Sequence, residues 1–386
     1  MTCTTENIPY DSAMELLIHG GFDGMADAIK VLMNSAMKIE RERYLQAAHY
    51  ERTTDRQSYA NGFKPKTVKT RIGEIELAVP QTRDGKFYPK SLERGIRSER
   101  ALKTTLAEMY IQGVSTRKVT KITEELCGFG VTASEVSRAC KELDHLFEAW
   151  RNRRLHGFPY VFLDARYENV RQAGIVRSCA VLLAIGVDES GKREVLGVSV
   201  DLSEAELHWR NFLSSLKDRG LCGLKMFISD AHEGLRAARN AVFPSVPWQR
   251  CQFHLQQNAQ AYVPKQSMKQ EVADRIRAIF NASDEPEAKR LLEKFVDDYR
   301  KSAPKLADWA EGAIPEGLVV FQMPPKHRRQ IRTNNMLERL NKEIYRRTRV
   351  VGIFPNTESC LRLVTAVAME RSDDWGTGKK YMSMNQ

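Results

Sequence analysis

Long apolar runs are missing from this chain of 386 residues. A membrane-spanning helix needs about 20 consecutive apolar residues, and no stretch of the sequence approaches that length. The opening stretch, MTCTTENIPYDSAMELLIHGG, also lacks the basic start and the apolar core of a signal peptide. We therefore expect a cytosolic protein that does not enter a membrane.

Regular cysteine pairs and nucleotide-binding loops are missing as well. The seven cysteines are odd in number, scattered, and free of any Cys-x-x-Cys pair, which favours reduced and mostly buried thiols over disulfides. The sequence has no Walker phosphate loop and no Gly-x-Gly-x-x-Gly motif after a predicted strand. No motif therefore supports chemistry that is driven by a bound nucleotide.

Positive charge is what the chain has in excess. Its formal net charge is +11, which favours a polyanionic partner, either nucleic acid or an anionic membrane surface. Part of the excess is local, because residues 52–103 carry 13 Lys or Arg against 6 Asp or Glu. We interpret this stretch as a contact to a nucleic-acid backbone, with a solvated basic face as the alternative.

The N-terminal part of the chain changes character near residue 58. Residues 1–58 are predicted to be helical and either to pack internally or to dimerise. Six apolar residues stand there at helical spacing: Met25, Ile29, Leu32, Met33, Ala36 and Ile39. Residues 59–98 alternate polar and apolar side chains, with turn signals at Gly73-Glu74 and Asp84-Gly85, which is typical of a β-rich basic arm.

Residues 99–150 have the pattern of a helix-turn-helix DNA-binding domain. Ser115 or Thr116 can cap a helix that runs to Leu126, and Thr132 with Glu135 can form a capping box for a second helix. The apolar residues that can pack the two helices together are Val119, Ile122, Leu126, Val131, Val136 and Ala139. An ordinary helical hairpin is the alternative.

From residue 155 to residue 375 the order of predicted elements is that of an α/β domain with a mixed sheet. Strands are predicted in PYVFLDARY, in both arms of the hairpin RSCAVLLAIGVDESGKREVLGVSVDL with its turn at Asp188–Lys192, in LKMFISD and in WQRCQFH, with helices between the later ones. A polar helical insertion at about 256–325 interrupts the pattern. Helices at 332–349 and about 357–375 follow, and residues 376–386 are predicted to form a polar tail.

Two aspartates stand at unusual places in these strands. Asp164 lies within an apolar run, where a lone carboxylate is costly unless it finds a partner. Asp230 follows a strand, at the edge where open α/β sheets place ligand sites. The alternatives are a hydrogen-bonded core carboxylate for Asp164 and a helix N-cap for Asp230.

Helical geometry separates two glutamates in the stretch RTNNMLERLNKEIYRRTR. Glu343 falls four residues from both Arg339 and Arg347, so a salt-bridged surface role fits it, and its replacement by Gln is expected to cost little. Glu338 instead flanks the apolar stripe of the helix, with Lys342 as its single nearby cation. Its other neighbours on the helix carry no charge: Asn334, Asn341 and Tyr345.

Asp164, Asp230 and Glu338 can converge on one edge of the sheet. Hard divalent cations prefer such oxygen ligands, and two Mg²⁺ ions, for which Mn²⁺ can substitute, can activate a nucleophile and stabilise a leaving 3′ oxygen. A basic chain that combines these carboxylates with a helix-turn-helix pattern fits DNA strand transfer. The alternatives are a DNA-binding regulator with an inactive catalytic fold and a structure-selective nuclease.

Four segments resemble the motifs of one known family. FLDARYENVR, SDAHEGL, WQRCQFH and TNNMLERLNKEIYRRTRVVGIFPN are similar to motifs of the mutator-type transposases of bacterial insertion sequences. The resemblance implies a ribonuclease H-like catalytic domain with an Asp-Asp-Glu metal triad at Asp164, Asp230 and Glu338. It also implies binding of terminal inverted repeats, metal-dependent strand cleavage and 3′-hydroxyl strand transfer, carried out at the nucleoid in the bacterial cytoplasm.

The resemblance also implies residues beside the triad. Cys251 and His254 match the Cys/Asp-x-x-His motif of the family, so His254 is expected near the site, with half of a zinc site as the alternative. His232 is a weaker candidate of the same kind. Trp309 lies in the insertion, where related transposases stack an aromatic side chain on a displaced base; packing in the core is the alternative.

Basic residues are expected to hold double-stranded DNA, and their binding should weaken steeply with salt. Joining two element ends further implies a homodimer or a larger assembly on the DNA. The expected DNA contacts are Lys64, Lys66, Lys69, Arg71, Arg117, Lys118, Ser134, Arg138, Lys141, Arg328, Arg329, Arg339, Lys342, Arg346, Arg347 and Arg349.

Overall fold

The computed structural model describes residues 8–384, which divide into two compact units. The first unit ends at Leu143 and the second begins at Asp144. Residues 1–7, which include Cys3, and the last two residues lie outside the described chain.

The first unit opens with two helices and a β-hairpin. The helices are α1 (Ile8–Gly20) and α2 (Met25–Leu45), and the strands are β1 (Ala60–Thr70) and β2 (Gly73–Thr82). The two strands pair antiparallel, as the alternating pattern predicts. Gly73 has a φ of +124°, a conformation that only glycine adopts without strain, and this permits the tight turn between them.

The buried face of α2 differs from the predicted one. Met37 is fully buried against the inward side chains of the hairpin. Ile29, Leu32 and Ile39 of the predicted stripe are exposed instead, because they point roughly 80–160° away from Met37 around the helix. Helical spacing of apolar residues therefore identified an apolar stripe on α2, but the hairpin packs on the face that carries Met37.

Three helices complete the first unit: α3 (Arg100–Ile111), α4 (Thr116–Cys127) and α5 (Ala133–Lys141). Apolar side chains from all three form one core, which includes most of the residues predicted to pack there. Ile122 and Leu126 lie outside this core, with 72% of the Leu126 surface exposed, and Phe129 from the following turn contributes to the core instead.

The predicted helix caps of this segment form. Ser115 Oγ accepts a hydrogen bond from the backbone N–H of Lys118 at the start of α4. Thr132 Oγ1 accepts from the backbone N–H of Glu135, whose carboxylate accepts in turn from the backbone N–H of Thr132. Gly128 ends α4 with a φ of +73°.

The second unit is an α/β domain built on a single five-stranded sheet. Its elements are α6 (Asp144–Arg151), β3 (Tyr160–Gln172), β4 (Ile175–Val187), β5 (Arg193–Asp201), α7 (Glu206–Asp218), β6 (Met226–Ser229), α8 (Glu233–Val242), β7 (Trp248–Arg250), α9 (Gln252–Ala259), α10 (Lys269–Phe280), α11 (Glu285–Arg300), α12 (Pro304–Ala313), α13 (Pro325–Ile331), α14 (Asn335–Thr348) and α15 (Thr357–Thr377). The strand order is β5-β4-β3-β6-β7. Strand β4 is antiparallel to both neighbours, whereas β3, β6 and β7 are parallel, so the predicted mixed sheet is present.

Alternation along β3 assigns its side chains to two layers. Val161 and Leu163 pack in the apolar core that contains Trp209 and Phe212 of α7. Successive residues of a strand point to opposite faces, so Asp164 points to the other face, where α14 packs. The strand therefore presents a carboxylate to α14 while its apolar side chains remain in the core.

Two segments of the second unit differ from their predicted form. Only Trp248–Arg250 of the WQRCQFH segment is a strand, and helix α9 begins directly after Cys251. The tail is docked, because Tyr381 donates a backbone hydrogen bond of 2.8 Å to the carbonyl of Gly191. A Cβ atom at Gly191 would lie 1.9 Å from the Met382 carbonyl oxygen, so only glycine permits this contact.

Helix α6 belongs to the second unit, although the sequence pattern assigns it to the helical region before residue 150. Arg362 of α15 forms a two-pronged ion pair with Asp144, with Nε 2.6 Å from Oδ1. Arg151 donates to Thr365 Oγ1 on the same helix at 3.1 Å. These contacts join sequence positions more than 200 apart, which no local pattern reveals.

Across residues 8–384, no helix is long and apolar enough to cross a membrane. The six cysteines in this range are free thiols, and four of them are buried. Free thiols agree with the expectation from their scattered positions, while Cys3 lies outside the described residues.

Candidate active site

Strand register brings the two aspartates to the same level. Strands β3 and β6 pair in parallel, with Phe162 opposite Ile228 as the last paired position. Asp164 and Asp230 each follow that pair by two residues, so they stand side by side at the carboxyl end of β6. Ligand sites of open α/β sheets lie at this edge.

Asp164 is partly buried, and both of its carboxylate oxygens accept a hydrogen bond. Its Oδ1 accepts from the backbone N–H of Ala165 at 3.0 Å, and its Oδ2 accepts from Asn341 Nδ2 at 2.8 Å. Burial, reinforced by the negative charges of Glu204, Asp230 and Glu338, raises the pKa of Asp164 to about 7. Three other carboxylates therefore lie within electrostatic range of this one.

Asp230 is more open and does not cap the helix that follows. Its Oδ1 accepts a 2.7 Å hydrogen bond from the backbone N–H of Ala231, but α8 begins at Glu233 with His232 as its N-cap. Arg250 Nε lies 3.9 Å from Oδ1 of Asp230. The carboxylate is 41% exposed, so it remains accessible to a ligand.

Helix α14 is fixed against β3 by two asparagines. Asn334 donates from Nδ2 to the carbonyl of Leu163 at 3.2 Å, and Asn341 donates to Asp164. Glu338 follows Asn334 by four residues and precedes Asn341 by three, so it shares their face of the helix. Its carboxylate has no ion pair or hydrogen bond to any residue that the structure describes, including Lys342.

Glu343 lies on a different side of α14 and is held by arginines. Arg346 approaches it at 2.6 Å, Arg347 at 3.3 Å and Arg371 at 3.5 Å. Hydrogen bonding from Arg346, reinforced by the charges of the other two, lowers the pKa of Glu343 to about 2. The predicted salt-bridged role is confirmed, although Arg339 is not among the described partners.

The two residues of the Cys-x-x-His segment have different surroundings. Cys251 is fully buried, and its Sγ accepts a 3.3 Å hydrogen bond from the backbone N–H of Asn334, so it links α9 to α14. His254 Nδ1 lies 3.9 Å from Asp230 Oδ2 and has no hydrogen-bond partner in the described chain. His232 Nδ1 lies 3.8 Å from Oε2 of Glu204.

Sequence reasoning missed two residues of this site. Glu204 lies in the loop between β5 and α7, and only the fold brings it near Asp164. Arg166, two residues after Asp164, donates from Nη1 to the backbone carbonyl of Asn341 and forms a 2.6 Å ion pair with Glu168. Residues two apart in a strand share a face, so alternation along β3 could have placed Arg166 beside Asp164.

The carboxylate and amide oxygens of this site are of the kind that a hard divalent cation prefers as ligands. No three Asp, Glu, His or Cys side chains among residues 8–384 are close enough to enclose a metal ion as they stand. Asp164 nevertheless faces three negative charges, and no described Lys or Arg forms an ion pair with it. Asn341 Oδ1 is buried beside it without a hydrogen-bond partner. A bound cation would offset this surplus of negative charge and of free oxygen atoms.

Many of the expected DNA-binding side chains are free to meet a polyanion. They are exposed and form no ion pair with another residue of the described chain: Lys64, Arg117, Lys118, Arg138, Lys141, Arg329, Arg339, Lys342 and Arg349. Ser134 is exposed as well. Arg71 and Arg346 are exposed but pair with Glu99 and Glu343, and Lys66 bonds to the hydroxyl of Tyr88.

Three of the expected DNA contacts are occupied by the fold itself. Arg347 is only 2% exposed and pairs with Glu343 and Glu370, so its inclusion among the DNA contacts is corrected here. Lys69 is held at 2.9 Å by Glu135. The guanidinium of Arg328 donates to three backbone carbonyls, those of Met323, Phe321 and Ser283.

Trp309 stacks within the helical insertion. Its ring lies 5.5 Å from that of Tyr262, with an angle of 21° between the two planes. Tyr262 is 41% exposed, so the pair is a partly open aromatic surface rather than a part of the deep core.

The sequence as a whole matches one protein family. A family model described as Transposase, Mutator family, matches residues 5–378. The transposase for insertion sequence element IS406 of Burkholderia multivorans is 53% identical over 387 residues, with 100% of both chains covered. The transposase for element ISRM5 of Rhizobium meliloti is 43% identical, covering 99% of this chain and 96% of its own. The transposase for element IS256 in transposon Tn4001 of Staphylococcus aureus is 38% identical, with 94% of both chains covered. With such similarity along almost its entire length, the chain belongs to the mutator family of transposases.

Proposed function

We propose that this protein is the transposase of an insertion sequence and that Asp164, Asp230 and Glu338 form its catalytic site. One observation carries the proposal: Asp164 and Asp230 stand level on neighbouring parallel strands, and α14 presents Glu338 to them between two asparagines that bond to β3. The second unit is accordingly proposed to have a ribonuclease H-like fold.

The residues of the site have separable tasks in strand cleavage and joining. Mg²⁺, or Mn²⁺ in its place, supplies Lewis acidity for an in-line displacement at a phosphodiester when it is bound. Asp164, Asp230 and Glu338 offer the oxygen atoms that would hold such ions. Asn341 fixes Asp164 Oδ2 and leaves the second lone pair of that oxygen available. His254, with its unbonded Nδ1 at 3.9 Å from Asp230, can orient that carboxylate.

Recognition of DNA is proposed to rest on two separate basic surfaces. In the first unit, α5 exposes Ser134, Arg138 and Lys141, as the second helix of a helix-turn-helix would. In the second unit, α14 exposes Arg339 and Lys342 near Glu338. Because two element ends must be joined, we propose a dimer or a larger assembly on the DNA.

The experiment that tests this function is a strand-cleavage assay on duplexes that carry the ends of the encoding element, with Mg²⁺. We expect the parent protein to release a 3′-hydroxyl end and Glu338→Gln to bind the duplex without cutting it. Glu358→Gln is the matched control, since Glu358 lies in the first turn of α15 as Glu338 lies in that of α14, and it is exposed. This control should cut like the parent.

Three other results would contradict the proposal. Binding without cleavage by the parent would indicate a DNA-binding regulator. Cleavage of branched or hybrid substrates without preference for the element ends, and without strand joining, would indicate a structure-selective nuclease. Unimpaired cleavage by Glu338→Gln would remove Glu338 from the site.

A further inference from the structure

Glu204 is a carboxylate that lies at the candidate active site although no motif of the chain points to it. It belongs to the short loop between β5 and α7, and its side chain is only 15% exposed. A glutamate in a polar surface loop is normally solvated, so its burial requires a physical reason. The neighbouring side chains supply one.

Residues next to both aspartates contact Glu204. His232, two residues after Asp230, places its Nδ1 3.8 Å from Glu204 Oε2. Tyr167, three residues after Asp164, has a raised pKa, chiefly through burial and then through the charge and hydrogen bond of Glu204. Glu204 thus lies against the loop that carries Asp230, on the α7 side of β3 to which Tyr167 points.

A glycine permits the backbone of this loop to approach the site. A Cβ atom on Gly234 of α8 would lie 2.3 Å from the carbonyl oxygen of Glu204 and 2.9 Å from the backbone nitrogen of Glu206. Neither distance leaves room for a side chain, and the blocking atoms belong to the backbone, which cannot rotate away. Gly234 therefore permits the start of α8 to pack directly on the loop that holds Glu204.

From this geometry we propose that Glu204 is a fourth carboxylate of the divalent-cation site formed by Asp164, Asp230 and Glu338, an inference that rests on the proposed function. Four carboxylates carry the charge that two divalent cations balance. His232 approaches the Glu204 carboxylate to 3.8 Å.

The test is a titration of the full-length protein with Mn²⁺, followed by calorimetry, for the parent, Glu204→Gln and Glu206→Gln. Glu206 is the matched control, because it lies two residues after Glu204, at the start of α7, and pairs with Arg210. We expect Glu204→Gln to bind Mn²⁺ at least about tenfold more weakly than the parent, in keeping with losses at metal sites. Glu206→Gln should bind like the parent.

Thermal unfolding separates a cation ligand from a merely structural residue. Without metal, Glu204→Gln should unfold at the same temperature as the parent or higher, because it removes a charge that repels Asp164. With Mn²⁺, its rise in unfolding temperature should be smaller than that of the parent. A variant that is less stable without metal but binds Mn²⁺ with parental affinity would overturn the inference.

Asp164→Asn distinguishes failure of this inference from failure of the proposed function. If Asp164→Asn loses Mn²⁺ binding while Glu204→Gln retains it, the three-carboxylate site stands and Glu204 lies outside it. If the parent protein binds no Mn²⁺ with or without an element-end duplex, the cation site itself is wrong and the assignment of Glu204 is wrong with it.

Discussion

Asn341 donates a 2.8 Å hydrogen bond from Nδ2 to Oδ2 of Asp164 and thereby joins α14 to β3 at the centre of the candidate active site. Arg166 reinforces this junction by donating to the backbone carbonyl of the same asparagine. The amide therefore fixes the orientation of the Asp164 carboxylate. It also fixes the position of α14, and with it Glu338, along β3. A residue of this kind acts on the reaction through the carboxylates that it positions.

Asn341→Ala is expected to lower the rate of strand cleavage about 10- to 100-fold, the range found for residues that orient metal ligands. Binding to element-end DNA should change little, because the amide faces β3. The assay is single-turnover cleavage at several Mg²⁺ concentrations, and partial recovery at high Mg²⁺ is expected. Asn335→Ala is the control, since Asn335 is exposed at the start of α14. Equal cleavage rates in the two variants would contradict the positioning role.

Glu343 is predicted to stabilise the fold rather than to act in cleavage. Its pKa is about 2 in the folded protein against an ordinary value of 4.5, so its contribution is present above about pH 4.5. The contribution is lost as the pH falls towards 2. The free energy of unfolding of Glu343→Gln should therefore lie below that of the parent at pH 7, by up to about 3 kcal/mol, and the two should converge in acid. Urea unfolding at a series of pH values measures this difference.

We therefore expect Glu343→Gln to cost little in cleavage but to lower the stability of the fold at neutral pH. Arg347 is almost fully buried and pairs with both Glu343 and Glu370, so removal of the Glu343 charge takes one ion pair away from a buried guanidinium. Glu358→Gln should follow the parent at every pH. A pH-independent stability difference between parent and Glu343→Gln would show that its ion pairs contribute nothing.

Lys342 is predicted to contact a DNA phosphate. It is exposed on α14 and has no ion pair with a described residue, so Lys342→Ala should weaken binding without unfolding the protein. The slope of log affinity against log salt should fall by about 0.9 for one lost phosphate contact. Lys289→Ala is the control, because Lys289 is exposed on α11 but paired with Glu285. The measurement is fluorescence anisotropy between low and moderate salt, and parallel salt slopes for parent and Lys342→Ala would exclude the contact.

Local sequence patterns were sufficient to predict the helix caps and to predict whether most segments are helices or strands. The capping box of Thr132 and Glu135 needs only residues three apart, and it forms as predicted. Helical spacing likewise separated Glu338 from Glu343, because the geometry of one helix depends on no other element. These features involve short sequence separations and few competing arrangements.

Features that depend on pairing between distant segments were not predictable in the same way. The level positions of Asp164 and Asp230 follow from the register of β3 with β6, which no pattern within either strand specifies. The exposed stripe on α2 shows the same limit, since periodicity does not reveal which face a hairpin will cover. Glu204 was missed because the close approach of its backbone to Gly234 of α8 joins segments about 30 residues apart, which no local pattern specifies.

Gly234→Ala tests the backbone contact that brings Glu204 to the site. Alanine in a helix is ordinarily more stable than glycine by about 0.5–1 kcal/mol, but here its Cβ would lie 2.3 Å from the Glu204 carbonyl oxygen. We therefore expect a lower unfolding temperature together with weaker Mn²⁺ binding, because the loop must move away from α8. The measurements are thermal unfolding without metal and the Mn²⁺ titration described above.

Gly312→Ala is the matched control for this substitution. Gly312 also lies in a helix, α12, and a Cβ atom there would have no neighbour within 4 Å. This variant should be as stable as the parent or slightly more stable, with unchanged Mn²⁺ affinity. If Gly234→Ala behaved in the same way, α8 could not be packed on the Glu204 loop as the structure shows, and the route by which Glu204 reaches the aspartates would have to be different.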